Sequence, residues 1–432
     1  MMTGRRIGLV LIVALTIMLA GFPSRSGSPV DDRTTLRAAS ALTSGDGANA
    51  ERVISRTRSA TVTPRILASL NAVDGQVGAY LQCRADRGCS EADLPWALIA
   101  FWVALIVLQL ALIALAGFAL TGTINGTILA TLIAIGAGRL FDYPWSVSDH
   151  SVLQTAGIAV LALGVAAVRW GSIVLAIGCG LAIGLCIVVH PLLLPLVIVV
   201  PTALLAAHRS STRKRIAVMA AAFLSAVLMG HGGQVRTAPE QARSFAGFHM
   251  PEVVRRDLMQ RTGYNSAPVG DHFAALISSL PLVGETITSM AFGRDAHSRI
   301  NQASPGSIRT KSAQSWVSEF RRNTIGGHGN QVRYVISRTV DREPFGHVLT
   351  TLVFALKLMI GTAGLAGVVA LACLPSLWRG SRGRANDAVV AAVLLWIGIA
   401  IAMAAVATPL AWANAALVLG PAILLARVFR SL

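Results

Sequence analysis

Ten stretches of this 432-residue chain are apolar over lengths that leave the backbone little choice of conformation. They run from Ile7 to about Phe22, then over roughly 96–118, 123–140, 152–168, 171–189, 191–207, 215–230, 347–373, 387–407 and 409–427. A helix that crosses the roughly 30 Å hydrocarbon core of a bilayer needs about 20 apolar residues, at about 1.5 Å rise each. In that medium backbone polar groups must satisfy one another, which a helix does within itself. The composition points the same way, with 54% hydrophobic and only 13% charged residues. Soluble domains carry about 25% charged residues, so a soluble globule is excluded. The expected fold class is all-alpha: a polytopic integral membrane protein of about ten transmembrane helices with helical periplasmic insertions. The expected division is a first transmembrane helix at 1–22, a first periplasmic segment at 23–95, helices two to seven at 96–230, a periplasmic helical cap at 231–346 and helices eight to ten at 347–432.

Arg5 and Arg6 precede the first run, which resembles a signal-peptide core in length but lacks a clear small-x-small cleavage site. It is read as a retained helix. Alternating the chain from there puts Arg169, then Arg209, Arg213, Lys214 and Arg215, then Arg379, Arg382 and Arg384, and finally Arg427 and Arg430 on one side. That is the arginine and lysine excess expected of short cytoplasmic loops. The expected location is the bacterial inner membrane, with both termini cytoplasmic. The net charge of +17 has this origin, and no nucleic-acid partner is expected. Pro191, Pro195 and Pro201 fall in one run, where a kinked or partly unwound helix is expected.

The two hydrophilic segments lie on the opposite side. In the first, Leu36, Ala39 and Leu42 give the stretch after Asp31-Asp32 one apolar face, and the aspartates are candidate helix caps. Thr63 to Leu70 and Val73 to Leu81 read as helical. The second segment has helix-like stretches near 251–261, 271–280 and 311–322. Cys83 and Cys89 lie in a polar stretch of the first segment, where a disulfide loop is expected in an oxidising compartment and two free thiols are the alternative. Eight of the nine histidines, His272 and His347 among them, fall on this outer side, and none has metal-site spacing. Lys357 lies about ten residues into its run. At that depth an ammonium either pairs with a carboxylate, holds a lipid phosphate or snorkels to the interface.

Three pieces together resemble the polytopic C-type glycosyltransferases, which use polyprenyl-phosphate sugars. The first is Asp31-Asp32-Arg33 through Gly45-Asp46-Gly47, just beyond the first run. The second is Phe141-Asp142-Tyr143-Pro144-Trp145 with Asp149-His150. The third is the small-residue run from Gly180 that ends at His190-Pro191. The resemblance covers roughly residues 5–230. It implies sugar transfer from a polyprenyl-phosphate donor to an acceptor glycan or lipid at the periplasmic face. Asp31 or Asp32 would then be the catalytic base that takes the acceptor proton. Asp142, Asp149, His150, Arg139, His190 and Lys357 would bind substrate, the cations meeting the leaving lipid phosphate. The expected cofactor is none or a divalent cation, with no metal ligands assigned. Two other classes stay open: a transporter, and a structural or assembly subunit whose small-residue stretches Gly178 to Gly184 and Gly361 to Gly367 pack on a membrane-protein partner.

Overall fold

A computed structural model of the chain describes residues 33–47, 49–50, 62–85, 94–136, 150–189, 193–207, 212–237, 243–244, 248–249, 265, 269–280, 283–292, 344–380, 384–406 and 413–431. These residues are almost entirely helical. One two-residue pair, β1 (Arg243–Ser244) and β2 (Phe248–His249), runs antiparallel with Arg243 opposite His249.

Three short helices precede the bundle: α1 (Arg33–Thr43), α2 (Val62–Leu70) and α3 (Gln76–Ala85). Their apolar faces are narrow, so each needs a neighbour to bury it. Leu36 and Ala39 of α1, Leu67 of α2, and Val77, Leu81 and Ala85 of α3 close over Ala97, Leu98 and Trp102. Those last three residues belong to the first two turns of α4 (Trp96–Thr121). The N-terminal helices therefore form a small module seated on the start of α4. The 26 residues of α4 span roughly 39 Å, which exceeds the hydrocarbon thickness. Its surplus length carries the module.

The bundle follows as α5 (Ile124–Gly136), α6 (His150–Trp170), α7 (Ile173–Val189), α8 (Leu196–Ala207) and α9 (Thr212–Thr237). After α10 (Val269–Ile277) and α11 (Gly284–Phe292) come α12 (Pro344–Gly380), α13 (Arg384–Val406) and α14 (Ala413–Ser431). Gly122 ends α4 with φ 68°, its N–H bonded to the Phe118 carbonyl, and Gly171 (φ 62°) separates α6 from α7. Both turns need a left-handed residue, and glycine supplies it without steric cost.

Side-chain contacts fix the helix directions. Gly117 of α4 faces Thr127 and Ala130 of α5, so α5 returns antiparallel. Gln109 of α4 bonds to Thr155 of α6, and the Phe118 and Trp170 rings lie 6.4 Å apart, so α4 and α6 run parallel. The Cys179 thiol of α7 donates to the Val160 carbonyl, while Gly178 sits against Leu163, so α6 and α7 are antiparallel. Gly180 meets Ala222 and Ser225 of α9, and Gly184 meets Met229, so α7 and α9 are parallel. Arg215 donates through Nε (3.2 Å) and Nη2 (3.0 Å) to the Leu205 carbonyl, fastening the end of α8 to the start of α9. Gly398 of α13 abuts Val199 of α8, and Gly164 of α6 abuts both Leu204 and Leu395, which sets α13 antiparallel to α8. Three residues separate α12 from α13, which pack together, so α12 runs down as α13 runs up.

The bundle thus has two ends. The starts of α4, α6, α8 and α12 and the ends of α5, α7 and α9 share the upper end, with the N-terminal module. Arg169 closes α6 at the lower end, where Arg213, Lys214 and Arg215 open α9 and Arg384 opens α13.

The expectation of about ten transmembrane helices is corrected. Among the described residues three helices are long and apolar enough to cross a membrane: Trp96–Thr121, Ser151–Trp170 and Asp387–Ala404. Five shorter apolar helical stretches accompany them: Ile124–Ile135, Ile173–Val189, Leu196–Ala207, Pro344–Ile360 within α12 and Leu419–Val428 within α14. A count of apolar residues does not register helix breakers, and proline shortens one expected span. The run 191–207 becomes a helix that begins after Pro195, and its 12 residues reach only about 18 Å. The run 215–230 lies in α9, whose first turn carries Arg213, Lys214 and Arg215. Ile7 to Phe22 lies outside the described residues.

Of the three long helices, α6 and α13 have 89% and 83% of their apolar windows buried by neighbours, against 28% for α4. The first two form the core, and α4 leaves Ile99, Val103, Val107 and Leu108 exposed. Ile128 and Leu132 of α5, Val174 and Leu181 of α7 and Leu224 and Leu228 of α9 are exposed as well. An apolar exterior of this extent needs lipid. The multi-helix bundle is therefore read as membrane-associated.

Candidate functional site

Most residues singled out in the sequence fall outside the described residues: Asp31, Asp32, Arg139, Asp142, Asp149, His190 and Cys89. Their described flanks share one end of the bundle. Helix α1 begins at Arg33 in the module on α4, α5 ends at Gly136, α6 begins at His150, and α7 ends at Val189. All four points belong to the upper end.

The expected disulfide falls on Cys83, which is described, and Cys89, which is not. No disulfide joins two described cysteines: Cys179, Cys186 and Cys373 are free thiols. Cys83 is disulfide-bonded, and Cys89 lies outside the described residues. Nor do the described residues hold any group of three or more His, Cys, Asp or Glu side chains able to bind a metal ion.

Lys357 is the described member of the expected binding set whose side chain can be followed. It is half-buried on α12, and among the described residues it makes no hydrogen bond or ion pair. Seven residues above it lies Thr350, on the same face and about 10.5 Å higher along the axis. Thr350 is fully buried and bonds at 2.9 Å to Nε2 of His272, from α10. One turn higher, Asn265 Nδ2 donates to His347 Nδ1 at 3.4 Å, and Thr351 Oγ1 donates back to the His347 carbonyl at 2.7 Å. The Asn265 backbone also lies so close to Gly346 that a Cβ there would strike its carbonyl. A polar seam thus descends α12 from His347 through Thr350 towards Lys357. The sequence showed His272 and His347 only as two of many outer histidines, because the partners stand 78 and 82 residues apart.

A second polar group lies between α4 and α6. Gln109 Nε2 donates to Thr155 Oγ1 at 2.8 Å, and that hydroxyl donates to the Ser151 carbonyl at 2.9 Å. Gln154 beside them is fully buried. Buried polar groups at this depth hold helices in register. In the module, Asp74 stands out. One carboxylate oxygen accepts from Gln76 N at 3.1 Å, the other from Ala97 N at 3.3 Å. One side chain caps α3 and α4 together. The Asp74-Gly-Gln order signals the first cap; nothing local signals the second, 23 residues away.

Fold and site together define a membrane-associated helical bundle that gathers polar and ionisable groups at one end. No family model, curated protein or solved structure matches the chain. The functional reading rests on its own residues.

Proposed function

We propose that this protein is a membrane-bound glycosyltransferase that takes a sugar from a polyprenyl-phosphate donor at the upper end of the bundle. One observation carries the reading: the described flanks of the acidic pair, of residues 137–149 and of His190 share an end with the seam that descends towards Lys357. A transferase of this kind needs a carboxylate and a cation on one membrane face. Asp31 or Asp32 accepts the acceptor hydroxyl proton as the acceptor oxygen bonds to the sugar's anomeric carbon. The bond from that carbon to the phosphate oxygen breaks in the same step, and the lipid phosphate leaves with the electron pair. His190, Arg139 or Lys357 meets that charge.

The upper end is read as the periplasmic face of a bacterial inner membrane, since Arg169, Arg213, Lys214 and Arg215 mark the lower end as cytoplasmic. The partner-subunit reading is the weaker one. Gly180 and Gly184, which would have offered a surface to another protein, are occupied by α9 of the same chain.

The test uses purified full-length protein in proteoliposomes with polyprenyl-phosphate sugars of several kinds and an extract of membrane lipids and glycans as acceptor, scoring release of free polyprenyl phosphate. The wild-type protein should release it from at least one donor. Replacing both acids, Asp31→Asn with Asp32→Asn, should abolish release while insertion and thermal stability persist. Undiminished release by the double variant would end the role of the acidic pair, and no release from any donor would end the donor assignment.

A further inference from the structure

Helices α10 and α11 follow the long hydrophilic stretch after α9, where a cap standing above the membrane was expected. Their exposed residues point to a deeper placement. Around α11, at about 100° per residue, three faces separate. Gly284 and Thr288 are buried against the protein. Glu285, Thr286 and Ser289 form a polar face. Between these, Val283, Ile287 and Met290 stand at i, i+4 and i+7 and point outward, with Met290 81% exposed. A helix with a protein face, a polar face and an exposed apolar face has the build of one lying in a membrane interface. On α10, Val269 and Phe273 add two more exposed apolar residues one turn apart.

Height along the bundle decides what covers this face. His272 of α10 bonds to Thr350, six residues into α12, or about 9 Å below the start of that helix. Exposed Val348 and Leu352 flank Thr350, and Leu356 continues their stripe at four-residue spacing. Phe345, 74% exposed, extends it upward. The α10–α11 pair is therefore fastened at the same height as the apolar outer stripe of α12, on the other side of that helix.

We infer that α10 and α11 form an interfacial hairpin whose Val269, Phe273, Val283, Ile287 and Met290 lie among the lipid chains of the upper leaflet, held at that depth by the buried His272–Thr350 bond. The occupant of the face is lipid. Asp271 and Glu285, both exposed, reach the headgroup layer. The inference rests on the membrane placement of the bundle and is independent of the transferase reading.

Spin labels at single cysteines test it in the full chain reconstituted in nanodiscs. The parent carries Cys83→Ser, Cys89→Ser and Cys373→Ser, with Cys179 and Cys186 left in place because both are fully buried. Labels at Ile287→Cys and Met290→Cys should favour oxygen over a water-soluble nickel chelate as strongly as a label at Leu352→Cys. A label at Val73→Cys, exposed on the N-terminal module, should show the reverse. If positions 287 and 290 behave as position 73 does while 352 remains lipid-exposed, the hairpin is a water-facing cap and the inference fails alone. If 352 also favours the chelate, the membrane placement itself fails. Spin–spin broadening at position 290 that disappears on dilution into excess lipid would assign the face to a second copy of the chain and overturn the inference as well. His272→Ala supplies a second readout: loss of the Thr350 bond should shift the labels at 287 and 290 towards the chelate, and unchanged accessibility would remove the bond's role in setting depth.

Discussion

Asp74 accepts one backbone hydrogen bond from each of two helices. Losing a helix cap costs about 1 kcal/mol, so Asp74→Ala should lower the stability of the module by about 2 kcal/mol, with Asp74→Asn intermediate. Unfolding followed by helical signal in detergent measures this. The apolar partners of that module were legible: Leu36 and Ala39 are buried as their spacing required, whereas Leu42, the third member of the face, is only half-buried. The second bond of Asp74 was not legible, because a cap on a helix 23 residues away leaves no local pattern. Lys357 shows the same boundary. Its depth in an apolar helix was visible in the sequence, but the His272–Thr350 seam above it depends on a long-range fold. Lys357→Met should preserve folding, since it removes a charge that has no partner among the described residues. It should also reduce the polyprenyl phosphate retained by the purified protein, measured by mass spectrometry of extracted lipid. Unchanged retention would remove Lys357 from the site.

At the scale of the helix, close packing of α7 on α9 explains the small residues of the run 171–189. A Cβ at Gly180 would fall on the Ala222 carbonyl and the Ser225 hydroxyl, and one at Gly184 on Met229. Backbone cannot yield as a flexible side chain can, so Gly180→Val should destabilise by about 1–3 kcal/mol, the usual range for overpacking. Gly178→Ala should be nearly neutral, because its only close neighbour among the described residues is the Leu163 side-chain tip at 3.3 Å. Thermal melting of the two variants in one detergent separates them. This packing also qualifies the small-residue run as a family signal, since intrachain contact alone accounts for the glycines. Helix type was readable from apolarity and helix length was not. Pro195 delays α8 until Leu196, and the apolar count over 191–207 carried no information about where the backbone could begin to bond.

At the scale of the molecule, alternating helix directions place the N-terminal module and the α10–α11 pair at one end and the cluster Arg213, Lys214 and Arg215 at the other. The charge bias in the sequence anticipated this two-ended arrangement. It could not reveal that α6 and α13 form a core screened from lipid while α4 faces it, because all three are apolar on every side. The proposed chemistry needs the acidic pair and the cationic groups in one compartment. The most direct check labels single cysteines at Val73 and Arg213 in intact cells, using a maleimide that cannot cross the inner membrane. Val73→Cys should label from outside, and Arg213→Cys should label only after the membrane is opened. Labelling of both positions from the same side would contradict the two-ended bundle and the site built upon it.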